Sequence, residues 1–313
     1  MSVRVAFLGN DPWSVPALEA IAAEPDLEPV VIVTNPPKPA GRGSRPTRTA
    51  VADLAERIGL PLVEADGIRA GPGYEALLAT TADVLVVVAY GHLLSREALE
   101  LYPRGAINLH FSLLPRWRGA APVQHALLAG DASTGVTVMR MDEGLDTGPI
   151  LNQLVEEIRS DDDAGTLGAR LAHDGAMLLV GVLRMLPHGG VPARAQDERL
   201  ATRAPRLGPD DRTIAWTAPA DRIIRLVRAL APEPGASTRF RGEPLKVLAA
   251  AEDHDPTSAG QPGQIVAADD RGVLVATGSG GIRLVDVAPA GRRRMSAAAW
   301  ARGARFGPDE RLG

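Results

Sequence analysis

Apolar residues in the first 190 positions form short continuous runs that alternate with stretches of helical spacing. Residues 3–8 are apolar apart from Arg4, residues 30–34 form a second run, and residues 83–89 read DVLVVVA. Strands of a parallel sheet are buried on both faces, and they therefore appear as nearly unbroken apolar segments. Amphipathic helices are predicted between these runs, at 15–24 and 51–58. The alternation predicts a doubly wound, mostly parallel α/β sheet of the Rossmann type.

The same alternation continues toward residue 190, with proline and hydroxyl side chains at the predicted helix starts. Pro122 suits the first turn of a helix. Thr166 is predicted to cap the long helix that follows, and Ser14 and Ser95 are predicted to cap shorter ones. The further elements predicted here are a strand from 106, a helix at 122–129 and strands at 136–141 and 150–158.

The pattern changes beyond residue 190. Residues 191–208 show no periodicity, which is typical of a linker between domains. One helix at 219–230 then interrupts a series of short apolar segments, which predict a small β-barrel. We therefore expect a catalytic domain at 1–190, a linker at 191–208 and a second domain at 209–313. The barrel strands are predicted at 213–216, 245–249, 264–267, 272–277 and 281–287.

Composition agrees with two domains. The chain has 313 residues, of which 45% are apolar, and a length of this order favours more than one core. It has no cysteine, which excludes disulfides and thiolate metal sites and fits a reducing cytoplasm. The apolar run at the start is too short for a signal peptide, and no stretch is expected to cross a membrane. Residues 1–208 carry 19 basic and 25 acidic side chains, and the remainder carries 15 and 13.

Three polar side chains are predicted to meet at the ends of strands. Asn108 and His110 are two residues apart in the strand that begins at 106, so their side chains leave the same face of the sheet. Asp146 lies in a glycine-rich turn after the next predicted strand. Open α/β sheets usually build their sites where strands end, and we expect an amide, an imidazole and a carboxylate to converge there.

This combination suits attack of a nucleophile on a carbonyl group. The amide of Asn108 and the ring of His110 can stabilise an oxyanion, while Asp146 can hold the imidazole and favour its charged form. No Ser-His-Asp triad is apparent, because Ser112 follows His110 by two residues beside a proline turn rather than on a nucleophile elbow. We therefore expect an acyl group to pass directly between two substrates.

The two stretches also resemble a known family. Residues 107–122 read INLHFSLLPRWRGAAP and residues 139–149 read MRMDEGLDTGP. The shorter core, N-x-H-x-S-L-L-P followed by D-x-G, resembles the folate-dependent formyltransferases. The longer R-W-R-G-A-A-P run resembles the methionyl-tRNA formyltransferases within that family. Further similar phrases at 214–216, 234–238 and 289–300 extend the resemblance over nearly the whole chain.

The resemblance implies specific roles, all of them expectations. It implies a C-terminal fold like the oligonucleotide-binding barrel, 10-formyltetrahydrofolate as the formyl donor, initiator methionyl-tRNA as the acceptor, and no metal. No obligate protein partner is indicated. Phe111 stands where the family has a small residue, so that its ring either narrows the folate pocket or packs into the sheet. The implied residues are Asn108, His110 and Asp146 for catalysis, and Ser112, Leu113, Leu114 and Pro115 for folate contact.

A basic loop at 35–49 is the second informative stretch. It reads NPPKPAGRGSRPTRT and carries four cations and no acid, so it suits contact with phosphates. Its P-A-G-R-G phrase resembles the family loop that contacts the acceptor arm of tRNA, although such a composition also occurs in plain solvated linkers. A second cluster lies near the C-terminus. The predicted tRNA-binding residues are Lys38, Arg42, Arg45 and Arg48 in the loop and Arg292, Arg293 and Arg294 in the second cluster.

Two other functions remain open at this point. The first is a formyltransferase that acts on an amino sugar nucleotide, which would share the three polar residues. The second is a folate- or RNA-binding protein without catalysis. The R-W-R-G-A-A-P run and the basic loop argue against the first, and the complete Asn-His-Asp set argues against the second.

Overall fold

The computed structural model describes residues 2–40, 45–253, 260–307 and 309–313. The chain divides into two compact units. The first comprises residues 1–122, 133–157 and 168–205, and the second comprises residues 123–132, 158–167 and 206–313.

The first unit is built around a seven-stranded sheet in the order β5-β2-β1-β6-β7-β8-β9. The five strands from β5 to β7 are parallel, as the apolar runs predicted. In chain order, the elements up to the end of this sheet and its last helix are β1 (Val3–Gly9), α1 (Val15–Ala23), β2 (Leu27–Thr34), β3 (Lys38–Ala40), β4 (Arg45–Thr47), α2 (Ala50–Arg57), β5 (Leu62–Glu64), α3 (Pro72–Ala79), β6 (Val84–Val88), α4 (Arg96–Leu99), β7 (Ala106–His110), α5 (Pro122–Ala129), β8 (Ser133–Arg140), β9 (Ile150–Glu157) and α6 (Ala164–Met185).

Both faces of this sheet are covered, which explains its unbroken apolar strands. On one face, Leu77 of α3 and Leu99 of α4 share a buried cluster with Leu8 and Leu85 of the central strands. On the other face α6 passes under β7, since a side chain at Gly175 would come within 3.0 Å of Leu109. Burial on both faces is the usual reason for nearly continuous apolar strands in a parallel sheet.

The direction of the last two strands was not anticipated. β8 runs antiparallel to β7, with Ile107 opposite Arg140 and His110 opposite Thr137, and β9 runs antiparallel to β8. The carboxyl end of β8 therefore lies beside the start of β7. At about 3.3 Å per residue, Arg140 is about 10 Å along the sheet from the level of His110. The β8–β9 connection has to return over that distance to bring Asp146 to the histidine.

Two predicted helix caps differ in the structure. Ser14 occupies the N-cap position of α1, as predicted, but its hydroxyl donates to the carbonyl oxygen of Val88 at 2.7 Å rather than accepting from the helix. The helix that Thr166 was predicted to cap already begins at Ala164. Asp163 precedes it, and the Asp163 carboxylate accepts from the Thr166 backbone at 2.8 Å while the Thr166 hydroxyl accepts from the Asp163 backbone at 2.9 Å. This reciprocal pair is a capping box. Ser95, in contrast, caps α4 as predicted.

α6 is long and apolar enough to pass a test for a membrane span, although no stretch was expected to cross a membrane. By length and composition, residues 164–188 pass that test, with a mean hydropathy of 1.2 in the best window. However, 56% of that window is buried inside the protein. The contact of Gly175 with Leu109 shows that the buried side of the helix packs against the sheet. We therefore interpret α6 as a core helix.

The second unit contains an antiparallel sheet in the order β10-β11-β14-β13-β12, as expected for a small barrel. The C-terminal tail bridges its two ends, because Leu312 pairs with Phe240 of β10 and Arg311 pairs with Gln264 beside β12. The remaining elements of the chain are α7 (Ala220–Leu230), β10 (Ala236–Phe240), β11 (Glu243–Asp253), β12 (Ile265–Asp269), β13 (Gly272–Ala276), β14 (Gly281–Pro289), β15 (Met295–Ser296) and α8 (Ala297–Ala304).

The sequence misplaced one strand of this sheet. Residues 213–216 were predicted as a strand, but Thr213 makes only an isolated bridge to Ser237, after a short 3₁₀ turn at Asp210–Arg212. Trp216 is instead buried in the core, where its indole N–H donates to the Thr238 hydroxyl at 2.9 Å. The strand that completes the sheet is β10, which the sequence did not indicate.

Candidate active site

β7 presents Asn108 and His110 on one face of the sheet. They alternate with Leu109, which faces α6. Asn108 lies opposite Val87 of β6, and Val87 belongs to the buried cluster on the α3 and α4 side. Both polar side chains therefore project from an apolar face at the carboxyl end of a parallel strand, where sites of open α/β sheets are usually found.

The amide of Asn108 is placed to receive a ligand. The residue is 9% exposed, and its side chain has no hydrogen-bond partner within the described ranges. The polar atoms of the Asn108 side chain are not completely buried, so its N–H bonds remain accessible. A neutral donor in a largely dry environment can stabilise a negative oxygen strongly.

An oxygen atom lies near each ring nitrogen of His110. Nε2 lies 2.9 Å from the carbonyl oxygen of Trp117. Because a carbonyl can only accept, Nε2 carries a hydrogen. Nδ1 lies 3.6 Å from Oδ2 of Asp146, which is within ion-pair range but too long for a hydrogen bond. The Nδ1 edge is therefore the side of the ring available to a reacting group beside the carboxylate.

Asp146 is fixed through both its backbone and its side chain. It adopts a left-handed conformation with φ of 56°, which is uncommon outside glycine but well tolerated by Asp and Asn. Oδ2 accepts from the backbone N–H of Gly119 at 2.8 Å, whereas Oδ1 has no partner in the described part of the chain. Gly148 lets the turn close, since a Cβ there would lie 1.9 Å from the carbonyl oxygen of Arg140.

The loop that supplies Trp117 and Gly119 is held by a segment that comes much later in the sequence. Thr202 accepts from the Arg118 backbone at 2.8 Å, and Ala204 donates to the Arg118 carbonyl at 2.7 Å. The Thr202 hydroxyl also accepts from the Trp117 backbone at 2.8 Å. These bonds make a short parallel bridge between Arg118 and Arg203. Residues 194–204, which had been predicted to lie in a linker, thus form part of the wall of this site.

The predicted folate turn is tightly anchored. The Ser112 hydroxyl is fully buried and donates to the carbonyl oxygen of Arg116 at 2.6 Å. Leu114 is also buried and packs with Met139 and Ile150. Leu113 and Pro115 are half-buried, so they are the residues of this turn that a ligand can reach.

Phe111 follows the second of its two expected placements. Its ring is 5% exposed and meets the ring of Trp13 edge-on, with centroids 5.6 Å apart. Trp13 in turn lies against Gly168 of α6. The Phe111 side chain is therefore packed into the domain on the side of α6, one residue after His110.

The basic loop shows a mixture of paired and undescribed cations. Lys38 pairs with Asp66 at 3.3 Å, and both side chains are exposed. Arg48 is paired with Glu64 at 2.9 Å and also with Glu56, and these two carboxylates raise its pKa, Glu64 the more strongly. Arg42 lies outside the described residues, and of Arg45 only the backbone, at the start of β4, is described.

The second basic cluster lies in the turn after β14. Arg292, Arg293 and Arg294 are all exposed. Arg294 is paired with Asp286 of β14, whereas Arg293 has no ion pair or side-chain hydrogen bond in the described part of the chain. Arg293 is therefore the member of this cluster that has the least competition from the protein itself.

Both parts of the chain match families of known proteins. Residues 3–183 match the formyl transferase family, and residues 206–305 match the formyl transferase C-terminal domain. The chain belongs to the formyl transferase family. Methionyl-tRNA formyltransferase of Magnetococcus marinus is 42% identical over 310 residues, covering 99% of this chain and 98% of that protein. Methionyl-tRNA formyltransferase of Streptomyces coelicolor is 43% identical over 311 residues, covering 99% and 100%.

Solved structures of more distant proteins share the fold. HypX from Aquifex aeolicus in complex with tetrahydrofolic acid gives a TM-score of 0.65 at 16% identity, covering 96% of this chain and 47% of that one. The N-formyltransferase from Helicobacter canadensis, in complex with folinic acid and dTDP-3-aminofucose, gives 0.66 at 15% identity, covering 90% and 98%. At this level of identity the likeness shows the fold, and this formyl transferase fold agrees with the family assignment.

Proposed function

We propose that this chain transfers the formyl group of 10-formyltetrahydrofolate to the α-amino group of methionine on initiator methionyl-tRNA. The observation that carries the proposal is the identity of 42–43% with two methionyl-tRNA formyltransferases, over 99% of this chain and 98–100% of each relative. That match includes the C-terminal unit as well as the sheet domain. The arrangement of Asn108, His110 and Asp146 supplies a chemical reason for the activity.

The reaction begins when the free amine attacks the formyl carbon. A bond forms between carbon and the amine nitrogen, and the formyl oxygen becomes an oxyanion. The accessible amide of Asn108 and a protonated Nδ1 of His110 donate to that oxygen. Donors that are already in place before the reaction stabilise the transition state without reorganisation.

One proton then has to pass from the amine to N10 of the folate as the bond between the formyl carbon and N10 breaks. Oδ1 of Asp146 is the acceptor we assign to the first half of this transfer, because Oδ2 is occupied by Gly119 N–H. The Asp146 carboxylate also lies 3.6 Å from Nδ1 of His110, so it can orient the imidazole that binds the oxyanion. No metal is needed for these steps.

The folate is expected to lie against the turn of residues 112–115. Leu113 and Pro115 offer apolar surface there, while Ser112 and Leu114 act by holding the turn. The tRNA is expected to meet cations of the loop at 35–49 and of residues 292–294. Within these groups, Arg48 and Arg294 already have carboxylate partners, so unpaired cations such as Arg293 are the stronger candidates. An enzyme of translation initiation with these substrates acts in the cytoplasm.

The test is formyl transfer from 10-formyltetrahydrofolate to each of three acceptor conditions: methionyl-tRNA, an amino sugar nucleotide, and no acceptor. We expect formylmethionyl-tRNA only in the first. Formylation of the sugar nucleotide alone would assign the enzyme to the other branch of the family. Folate binding without transfer to either acceptor would leave a binding protein.

A further inference from the structure

Gln196 holds the backbone of the turn that carries Asp146. Its side-chain amide nitrogen donates to the carbonyl oxygen of Asp146 at 2.8 Å and to that of Gly148 at 2.7 Å. A primary amide has two N–H bonds, and both are used here. The Gly119 N–H also binds the Asp146 carboxylate, so this residue is held through both its backbone carbonyl and its side chain.

Arg118 determines which way the Gln196 amide points. Its Nε and Nη2 donate to Oε1 of Gln196 at 3.0 and 2.8 Å. A guanidinium can only donate, so the flipped amide would place N–H bonds against N–H bonds. Arg118 is itself 8% exposed and bound to Glu198 at 2.7 and 2.8 Å, and this carboxylate is the main reason that the pKa of Arg118 is raised.

We propose that Gln196 and Arg118 are positioning residues for Asp146, and that Gln196 sets the separation of 3.6 Å between Oδ2 of Asp146 and Nδ1 of His110. The proposal rests on the function proposed above. Asp146 holds a left-handed backbone conformation, with φ of 56°, that few residues other than glycine adopt. Bonds to the two carbonyl oxygens of that turn therefore bear directly on where the carboxylate sits.

The same domain contains a matched arrangement at the other half of the site. Gln153 donates from its amide nitrogen to the carbonyl oxygen of Leu114 at 2.9 Å and to the Thr137 hydroxyl at 3.0 Å, and its Oε1 accepts from Arg194 at 2.8 Å. Each glutamine is oriented by an arginine and supports one loop. Gln196 supports the Asp146 turn, whereas Gln153 supports the turn assigned to folate.

Steady-state kinetics of Gln196→Leu, Gln196→Glu and Gln153→Leu separate these roles. Both changes at 196 remove the N–H donors, and the glutamate still accepts from Arg118. A displacement of about 1 Å in a catalytic group can lower the rate about 100-fold. We therefore expect kcat to fall by about 10- to 100-fold in both Gln196 variants, with KM for 10-formyltetrahydrofolate within about twofold. Gln153→Leu should mainly raise that KM.

A double variant shows whether Gln196 acts through Asp146. Residues that act as a unit give non-additive losses. Gln196→Leu should thus cost less than about threefold further in an Asp146→Asn background, and alone it should change the pH–rate profile as Asp146→Asn does. A full additional loss in the double variant would overturn the proposal. A wild-type kcat in Gln196→Leu would also overturn it. The same holds if both glutamine variants show the same changes in kcat and KM together with a lower Tm, since that pattern indicates a general loss of structure.

NMR of ring-labelled histidine tests the positioning without any substrate. The ring ¹⁵N shifts of His110 should change in Gln196→Leu and stay unchanged in Gln153→Leu. If the wild-type protein fails to formylate methionyl-tRNA, the proposed function fails, while this measurement still tests the positioning. Unchanged His110 shifts in Gln196→Leu would overturn the positioning proposal whatever the substrate is.

Discussion

Nε2 of His110 is hydrogen-bonded to the carbonyl oxygen of Trp117, 2.9 Å away and seven residues later in the chain. Trp117 has φ of 65°, and its backbone N–H is bound by the Thr202 hydroxyl. The bond places the hydrogen of a neutral His110 on Nε2 and leaves Nδ1 facing Asp146. A second proton on this ring is thus placed beside the carboxylate, where the oxyanion and the amine proton are expected to arrive.

Asn108→Ala should lower turnover with little change in stability. The substitution removes one neutral donor to the oxyanion, and such losses typically reduce kcat about 100- to 1,000-fold. The Asn108 side chain has no hydrogen bonds to lose within the described ranges, so Tm should stay near that of the wild type. Asn152→Ala, at an exposed position of β9, is the control. Normal melting with near wild-type turnover in Asn108→Ala would reject the role.

Asp146→Asn should lower the rate and change the shape of the pH–rate profile. Asparagine tolerates the left-handed backbone, so the turn itself is not strained by the change. The loss of the carboxylate removes both the anion beside His110 and the proton acceptor. Steady-state rates across pH measure the effect.

Asp142→Asn is the matched control, because Asp142 lies in the same connection and its side chain accepts hydrogen bonds from residues of that connection. Its Oδ1 accepts from the Gly144 backbone at 3.0 Å and from the Thr147 hydroxyl at 2.7 Å. We expect a wild-type pH profile for this variant. If Asp146→Asn instead keeps the full profile while Asp142→Asn alters it, the roles of the two carboxylates are reversed.

The sequence predicted site residues that lie close together in the chain and strands that are buried along their whole length. Asn108 and His110 share one strand, and the unbroken runs of β1 and β6 follow from burial on both faces. The direction of β8 was not predictable, because period-two spacing is the same in parallel and antiparallel strands. Gln196 was missed for a different reason: it is 50 residues from Asp146, in a segment without periodicity.

β10 and the wall at 194–204 illustrate the same limit. β10 reads ASTRF, a polar segment in which only Ala236 and Thr238 are buried, so hydropathy gave no strand signal. The 194–204 segment is held by backbone bonds to Arg118 and by two side-chain amides. The backbone bonds depend on geometry rather than on residue type, and the two amides meet partners that are distant in sequence. The R-W-R-G-A-A-P run was a usable signal for Arg118, but nothing local linked it to Gln196.

Arg293→Ala should weaken tRNA binding with little effect on folding. Removing one phosphate contact should reduce the slope of log affinity against log salt by about one unit at most. Arg294→Ala is the comparison, because its guanidinium is already held by Asp286 and should contribute less to RNA. Binding across a salt series measures both. An unchanged slope in Arg293→Ala would move the contact to other cations of the chain.

Tyr90→Phe should stabilise the protein, since the Tyr90 hydroxyl is buried without a partner in the described part of the chain. Burial raises the pKa of Tyr90 to about 12, with a smaller contribution from Asp66. The folded pKa exceeds the unfolded value of about 10, so titration of Tyr90 leaves the free energy of unfolding unchanged below pH 10 and lowers it as pH rises toward 12. Tyr90→Phe should gain about 1 kcal/mol at neutral pH and reduce the alkaline loss.

Tyr102→Phe is the matched control for that change. Burial also raises the pKa of Tyr102 to about 12, but its hydroxyl donates to the carbonyl oxygen of Leu77 at 2.9 Å. Deleting a satisfied hydroxyl should lower the free energy of unfolding by about 1 kcal/mol. Urea unfolding at pH 7 and at alkaline pH distinguishes the two. A loss in Tyr90→Phe equal to that in Tyr102→Phe would mean that the Tyr90 hydroxyl is bonded in solution.

Two glycines of α6 should respond to alanine in opposite directions. At Gly168 a Cβ would lie 2.0 Å from the Trp13 ring, and Trp13 also packs edge-on against Phe111. Gly168→Ala therefore has to displace a tryptophan that touches the residue after His110. Overpacking of this kind typically lowers stability by about 1–3 kcal/mol.

Gly181 is on the exposed side of the same helix, where a Cβ would have no atom of the described residues within 4 Å. Gly181→Ala gains helix propensity without a clash, so we expect it to raise the free energy of unfolding by about 0.5–1 kcal/mol. Urea denaturation of both variants measures the difference. Because propensity favours alanine at both positions, a loss at 168 alone must come from Trp13. Equal gains at both positions would show that the Trp13 ring moves freely, and that Phe111 is not held from the α6 side.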